Sequence, residues 1–230
     1  MTISIRRVPR AAVRVVIALV CVGAALTAAP ATSARAGEGT ATTPAVRGGD
    51  ALIASGARCA LAFNARRGTD TFGVMASLCA PAAPAVWSHA TTGVRVGTST
   101  GWPATREVAL VHYDNPGVTY PGEVDLGDGT VRDMTGAGYP SAGQQVCQAG
   151  QQTGLRCGRV QAVNVTVNLG GGLILYNAVA TTICSAAGDG NAPLFASGTA
   201  LGFRVGSGGS CATFHLPIAP SLAALGLTVY

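Results

Sequence analysis

Hydrolytic and metal-dependent chemistry needs nucleophiles, proton carriers or ligands at workable spacing, and this sequence is sparing with all three. Its histidines, His89, His112 and His215, are scattered, and none falls in an H-E-x-x-H pattern. No C-x-x-C pair occurs, so no zinc or other metal site is expected, and no cofactor is implied. The hydroxyls of Ser77 and Ser185 are the nearest candidates for a nucleophile. A working serine needs a base within about 3 Å, and no spacing here supplies one. His112 follows Val111 on a predicted strand, where adjacent side chains face opposite ways. Ser77 and Ser185 therefore read as ordinary turn hydroxyls. Asp189, between two glycines, reads equally as a buried turn aspartate and as a functional group.

The elements that must position these residues follow from charge and hydropathy. The chain has 230 residues, a formal net charge of +5 and no lysine. Arg6, Arg7, Arg10, Arg14 and Arg35 crowd the first 36 residues, which hold no acid; from residue 37 onward Arg and acidic residues balance. The basic excess thus belongs to the leader, and a nucleic-acid partner is excluded because phosphate binding needs a basic surface. Residues 1–36 have the form of a secretory signal: an Arg-rich start, an apolar run from Val15 to Ala29, and Ala34-Arg35-Ala36 as a small-x-small cleavage site. No stable membrane span is expected after cleavage, since the apolar run is short for a bilayer. Residues 37–45 form a small, polar linker. Cys21 lies within the leader. Cys59, Cys79, Cys147, Cys157, Cys184 and Cys211 remain, an even set in an exported chain, so disulfides are expected, with their connectivity left open by spacing alone.

Hydrophobic residues make up 48% and charged residues only 11%, which excludes disorder over most of the chain. Short β-branched runs alternate with Gly, Pro, Asn and Asp. They predict strands at Cys59–Asn64, Thr71–Ala76, Val94–Gly97, Val108–Tyr113, Gln144–Gln148, Arg159–Asn168, Leu173–Val179 and Thr199–Val205. Leu169-Gly-Gly-Gly172 predicts a hairpin turn. Only Ile218–Gly226 has helical character. The chain therefore reads as all-β with a short C-terminal helix, about 185 residues being suited to two small barrels in one unit.

Several segments, in order, resemble the streptogrisin and alpha-lytic branch of the chymotrypsin-like serine peptidases. They are Val46-Arg-Gly-Gly-Asp-Ala-Leu52, Cys59-Ala-Leu-Ala-Phe-Asn64, Val146-Cys-Gln-Ala-Gly150 with Thr153-Gly-Leu-Arg-Cys-Gly158, Gln161-Ala-Val-Asn-Val-Thr-Val-Asn168 and Leu225-Gly-Leu-Thr-Val-Tyr230. The resemblance covers residues 46–230. It implies two six-stranded antiparallel barrels, with a boundary near residues 120–140 and a cleft between them. It also implies the disulfides Cys59–Cys79, Cys147–Cys157 and Cys184–Cys211.

The same resemblance implies where catalytic groups belong, and this sequence departs from it at each place. The family histidine lies in Thr-Ala-Gly-His-Cys; here Met75-Ala-Ser-Leu-Cys79 puts Leu78 at that position. The family aspartate lies in Asp-Tyr-Gly-Ile-Val; here Glu107-Val-Ala-Leu-Val111 supplies a longer acid. The family serine lies in Gly-Asp-Ser-Gly-Gly-Pro; here Gly188-Asp-Gly-Asn-Ala-Pro193 puts Gly190 in its place. The oxyanion loop is thus Gly188, Asp189 and Gly190, with Asn191 and Ala192 replacing two glycines. The cleft strand reads Val205, Gly206 and Ser207. Gln148 stands where an arginine would pair with Asp189, leaving the partner of Asp189 open. The expected protein is a secreted, extracellular bacterial serine-peptidase homologue without a working catalytic triad, binding a peptide or protein in the inter-barrel cleft. The alternatives are an active serine endopeptidase with a non-family nucleophile and a structural envelope or secreted protein.

Overall fold

The computed structural model of the chain describes residues 43–101, 107–209 and 211–230. The leader and most of the linker lie outside the described residues. The first sheet holds β1 (Ala51–Ala54), β2 (Ala57–Ala60), β3 (Phe63–Arg67), β4 (Asp70–Ala76), β5 (Ala85–His89), β6 (Arg95–Ser99) and β7 (Val108–Tyr113). The predicted strand at Cys59–Asn64 is real but bent. Leu61 and Ala62 interrupt it, so β2 pairs with β1 while β3 pairs with β4. β1 also pairs with β5, and the order then runs through β6 and β7 back to β4. With β2 and β3 taken as one bent strand, six antiparallel strands close a barrel.

Residues 114–144 connect the halves and carry the small hairpin β8 (Glu123–Asp125) and β9 (Val131–Asp133), then β10 (Gly136–Ala137). The second barrel follows: β11 (Gln145–Gly150), β12 (Gly154–Asn168), β13 (Ile174–Thr181), β14 (Pro193–Ala196), β15 (Thr199–Ser207) and β16 (Thr213–Pro217). The pairing of β15 with β16 closes these six strands into a ring, and β10 adds to β15 in parallel. Helix α1 (Ala219–Leu225) has a proline in its first turn, and left-handed Gly226 ends it. The last strand, β17 (Thr228–Val229), returns to β3.

Alternation along the strands builds the core. On β7, Ala109, Val111 and Tyr113 fill the first barrel around Trp87, while Val108 and Leu110 face a second cluster. That second cluster lies between the barrels, where Phe63, Val74 and Val108 meet Phe203, Leu216 and Leu222 of α1. A third cluster, Val146, Val160, Ile183, Leu194 and Leu201, fills the second barrel. The outward faces of the two barrels therefore share apolar surface, which holds the strand ends of one beside the loops of the other.

Asn64 pins this arrangement. It is buried, and its amide nitrogen donates to the carbonyls of Val46 and Pro121, both at 2.7 Å. Its oxygen accepts from the buried Tyr113 hydroxyl at 2.7 Å. One side chain thus joins the segment at Val46, the inter-barrel connection and β7. Removing it strands two buried polar groups, the Val46 carbonyl and the Tyr113 hydroxyl, and the half-buried Pro121 carbonyl. Asn64→Ala is expected to lose about 3 kcal/mol, or roughly 6–12 °C in Tm; a urea titration showing a change below about 0.5 kcal/mol would refute this role.

Candidate functional site

Leu78 sits in the turn that follows β4, next to the Cys59–Cys79 disulfide, and is 48% exposed. It carries no proton and no hydrogen-bonding group. The amide of the preceding Ser77 donates to the Glu107 carbonyl at 3.1 Å, so Leu78 and Glu107 lie at neighbouring strand ends. The Glu107 carboxylate accepts from the Ser221 hydroxyl of α1 at 2.8 Å. The acid in the aspartate's sequence position is therefore engaged with the C-terminal helix.

The loop before β14 holds Gly188, Asp189 and Gly190. Asp189 is fully buried. Its carboxylate accepts from the amides of Ala186, Gln152 and Thr153 at 2.9, 2.8 and 3.1 Å, and from the Thr153 hydroxyl at 2.8 Å. Its partner is thus a ring of neutral donors. Burial pushes the carboxyl up, but these hydrogen bonds outweigh it and hold Asp189 below the usual carboxylate range. The close approach requires Gly150, whose hypothetical Cβ would stand 2.4 Å from the Asp189 oxygen.

Gly190 is exposed, and a Cβ there would meet nothing within 4 Å. Of the two residues that replace glycines after it, only Asn191 is left-handed, with φ of 64°, a conformation asparagine tolerates. Ala192 therefore carries no such strain.

Gln148, in the position of the expected arginine, turns instead to His215 on β16. The Gln148 oxygen and the His215 Nε2 are 2.9 Å apart, and both residues are buried. Burial, and then repulsion from Arg204, lower the His215 ring to about 3, so it is neutral under ordinary conditions. His112 is exposed on β7 against Phe72. His89 Nδ1 lies 3.1 Å from the Thr92 hydroxyl, and its Nε2 lies 3.7 Å from Asp50. That order of groups imitates a triad, but it belongs to the β5–β6 hairpin: the Thr92 amide also approaches Nδ1, and the Thr92 hydroxyl accepts from the Val94 amide. Among the described residues, no cluster of three His, Cys, Asp or Glu could hold a metal ion.

The cleft strand Val205–Ser207 ends β15. A bulge between Arg204 and Gly206 leaves Val205 without a partner on β16. Sequence reasoning missed Arg204 itself. It is 8% exposed, and its Nε donates to the Ser185 hydroxyl at 3.0 Å and an Nη to that of Ser207 at 3.3 Å. The available signal was one charge set between Phe203 and Val205 on an otherwise apolar strand. Cys147–Cys157 clips the β11–β12 hairpin, and Cys184–Cys211 ties the segment before the Gly188 loop to the one before β16.

No family model matches the chain. Individual relatives do. Glutamyl endopeptidase 2 of Streptomyces griseus is 39% identical over 193 residues, covering 80% of this chain and all of that protein. The chain belongs to the streptogrisin and alpha-lytic branch of the chymotrypsin fold. Streptogrisin-D of Streptomyces griseus is 36% identical over 193 residues, 81% of this chain, but the chain spans only 48% of that longer protein. Against Streptogrisin-A of the same organism the share is 62%. The solved structure of "Alpha-lytic protease homolog N4" superposes with a TM-score of 0.72 at 38% identity, covering 81% of this chain and all of that one. The protein is thus a serine-peptidase homologue with the two-barrel scaffold of this branch.

The buried polar groups of the second barrel make its stability depend on pH. His215 is held neutral in the fold but takes a proton near its ordinary 6.5 once unfolded. Its folded value is the lower one, so the stability it preserves is complete above about pH 6.5 and is lost as pH falls toward about 3. Wild type is expected to lose about 2 kcal/mol between pH 6 and 4.5, at up to about 1.4 kcal/mol per pH unit. His215→Gln should flatten that interval and leave the further loss below about pH 4 from Asp189. Equal slopes in urea titrations of the two proteins would exclude His215 as the cause.

Proposed function

We propose that this serine-peptidase homologue is exported and binds peptides in its inter-barrel cleft without cleaving them. The observation that carries the reading is the pair Leu78 and Gly190. An exposed leucine occupies the turn where the family's base belongs, and a residue without a side chain occupies the nucleophile's loop. Losing either group alone costs on the order of 10⁶ in turnover in a comparable serine peptidase. A residual acceleration of roughly 10³–10⁴ over water requires an intact oxyanion hole. Glu107 gives no compensation, because its carboxylate is held by Ser221. Both barrels are nonetheless closed and share an apolar core, and the cleft that the family resemblance implies between them is where the peptide is proposed to lie. Three disulfides and an Arg-rich leader support export to an oxidising compartment.

The test is a fluorophosphonate probe on the disulfide-intact protein, with cleavage and capture of a mixed peptide library in parallel. The expected result is no labelling and no cleavage above a boiled control, with a retained subset of intact peptides. Covalent labelling mapped to Thr92, Ser77 or Ser185 and coupled to cleavage would overturn the proposal. Failure to retain any peptide would remove its binding half.

A further inference from the structure

The β12–β13 hairpin is irregular at two neighbouring places. Between Ala162 and Val165 one extra residue lies on β12, and between Val165 and Val167 one extra residue lies on β13. Each bulge holds a left-handed asparagine, Asn164 with φ of 56° and Asn177 with φ of 57°. Glycine adopts that conformation without strain and asparagine tolerates it, so the backbone alone does not call for a carboxamide. A bulge re-aims the side chain it carries. Here both carboxamides line one cavity of about 270 Å³, which reaches Pro220 in the first turn of α1.

Glu107, just before β7, lines the same cavity, as do Tyr139 and Tyr176. The two tyrosines are 68% and 64% exposed, so most of each ring is open to a ligand. Leu216 supplies an apolar wall. The polar groups are largely unused. Among the described residues, neither carboxamide and neither tyrosine hydroxyl makes a hydrogen bond, and Glu107 spends only one oxygen, on Ser221.

This lining decides the chemistry of a ligand. It holds a carboxylate and no cation, so an anion is repelled. Each asparagine offers donors as well as an acceptor. An organic cation only donates, and would leave the amide hydrogens unmet. A wholly apolar ligand would leave every polar group unpaired. Hydroxyls both donate and accept, and a pyranose ring adds an apolar face for the tyrosines to cover. We propose that this cavity binds a pyranose ring of a neutral saccharide, hydrogen-bonded by Asn164, Asn177 and Glu107 and faced by Tyr139 and Tyr176. The ring comes either from a free sugar or from a glycan chain, two sources of one chemistry. The proposal does not depend on whether the inter-barrel cleft holds a peptide.

The test follows the side-chain amide resonances of Asn164 and Asn177 in ¹⁵N-labelled, disulfide-intact protein. The probes are the methyl glycosides of glucose, mannose and N-acetylglucosamine, each paired with its linear pentasaccharide. Sodium glucuronate and N-acetylarginine amide serve as the anion and the cation. A saturable shift of both carboxamides is expected with at least one neutral glycoside, with affinity in the millimolar range for a single ring. Equal affinity for the glycoside and its pentasaccharide assigns the site to a free sugar, and tighter binding of the pentasaccharide assigns it to a chain. Tyr176→Ala is expected to weaken binding about tenfold. Asn177→Gly keeps the left-handed backbone and removes a carboxamide, so it should stay folded and lose the shift at Asn164. No shift with any neutral probe overturns the proposal. So does a shift at Asn164 that survives unchanged in both variants, or tighter binding of N-acetylarginine amide than of every sugar. If Tyr176→Ala does not fold, the wild-type titration and Asn177→Gly decide.

Discussion

A carboxylate buried without a cation dominates the second barrel. Asp189 has lost all contact with water, and an anion in that position is tolerable only if hydrogen bonds replace its hydration. Three amides and one hydroxyl do so. Each comes from a turn that must be in place at the same time: Gln152 and Thr153 from the β11–β12 hairpin, Ala186 from the segment leading to Gly190. The Cys147–Cys157 disulfide fixes the first and Cys184–Cys211 the second. Gly150 is constrained because any side chain would displace the carboxylate. The shape of the Gly188–Gly190 loop follows from satisfying one charge.

Because Asp189 needs no cation, the position that would supply one is free to be neutral. Gln148 takes that freedom and pairs with His215, which burial and the nearby Arg204 keep uncharged. The positive charge of this interior is Arg204, directly across the β15–β16 ladder from His215. The two buried ions feel each other through space but share no hydrogen bond, so neither satisfies the other.

Much of this was legible in the sequence. β7 matched its predicted bounds, and β4 and α1 came within a residue, because period-2 alternation, proline and glycine mark such elements strongly. The short strands β1, β5, β8, β9, β10, β14, β16 and β17 went unseen, since two to five mixed residues give no period to detect. The predicted strand at Cys59–Asn64 hid its bend because all six residues are buried or nearly so, and burial conceals a change of pairing partner. At the candidate site, residue type alone says that Leu78 has no proton to transfer and Gly190 no side chain, and the structure adds that both are exposed. Where chemistry depends on what a side chain touches, the sequence was mute. Nothing in it shows that Glu107 reaches Ser221, or that Arg204 lacks an acid.

The same distinction bears on the proposed loss of hydrolysis. Leu78 is exposed and Gly190 opens on empty space, so neither position contributes to the core, and replacing a histidine or a serine there costs the fold little. Asn64, Asp189 and the apolar layer between the barrels are different in kind, because each holds two or more segments at once. Catalytic groups of this type are positioned by the scaffold and give it almost nothing back. A chain released from hydrolysis would therefore drift first at Leu78 and Gly190 while keeping its cleft, its disulfides and its buried carboxylate. Such a chain would keep the contacts that hold several segments at once, because the fold itself depends on them and not on Leu78 or Gly190.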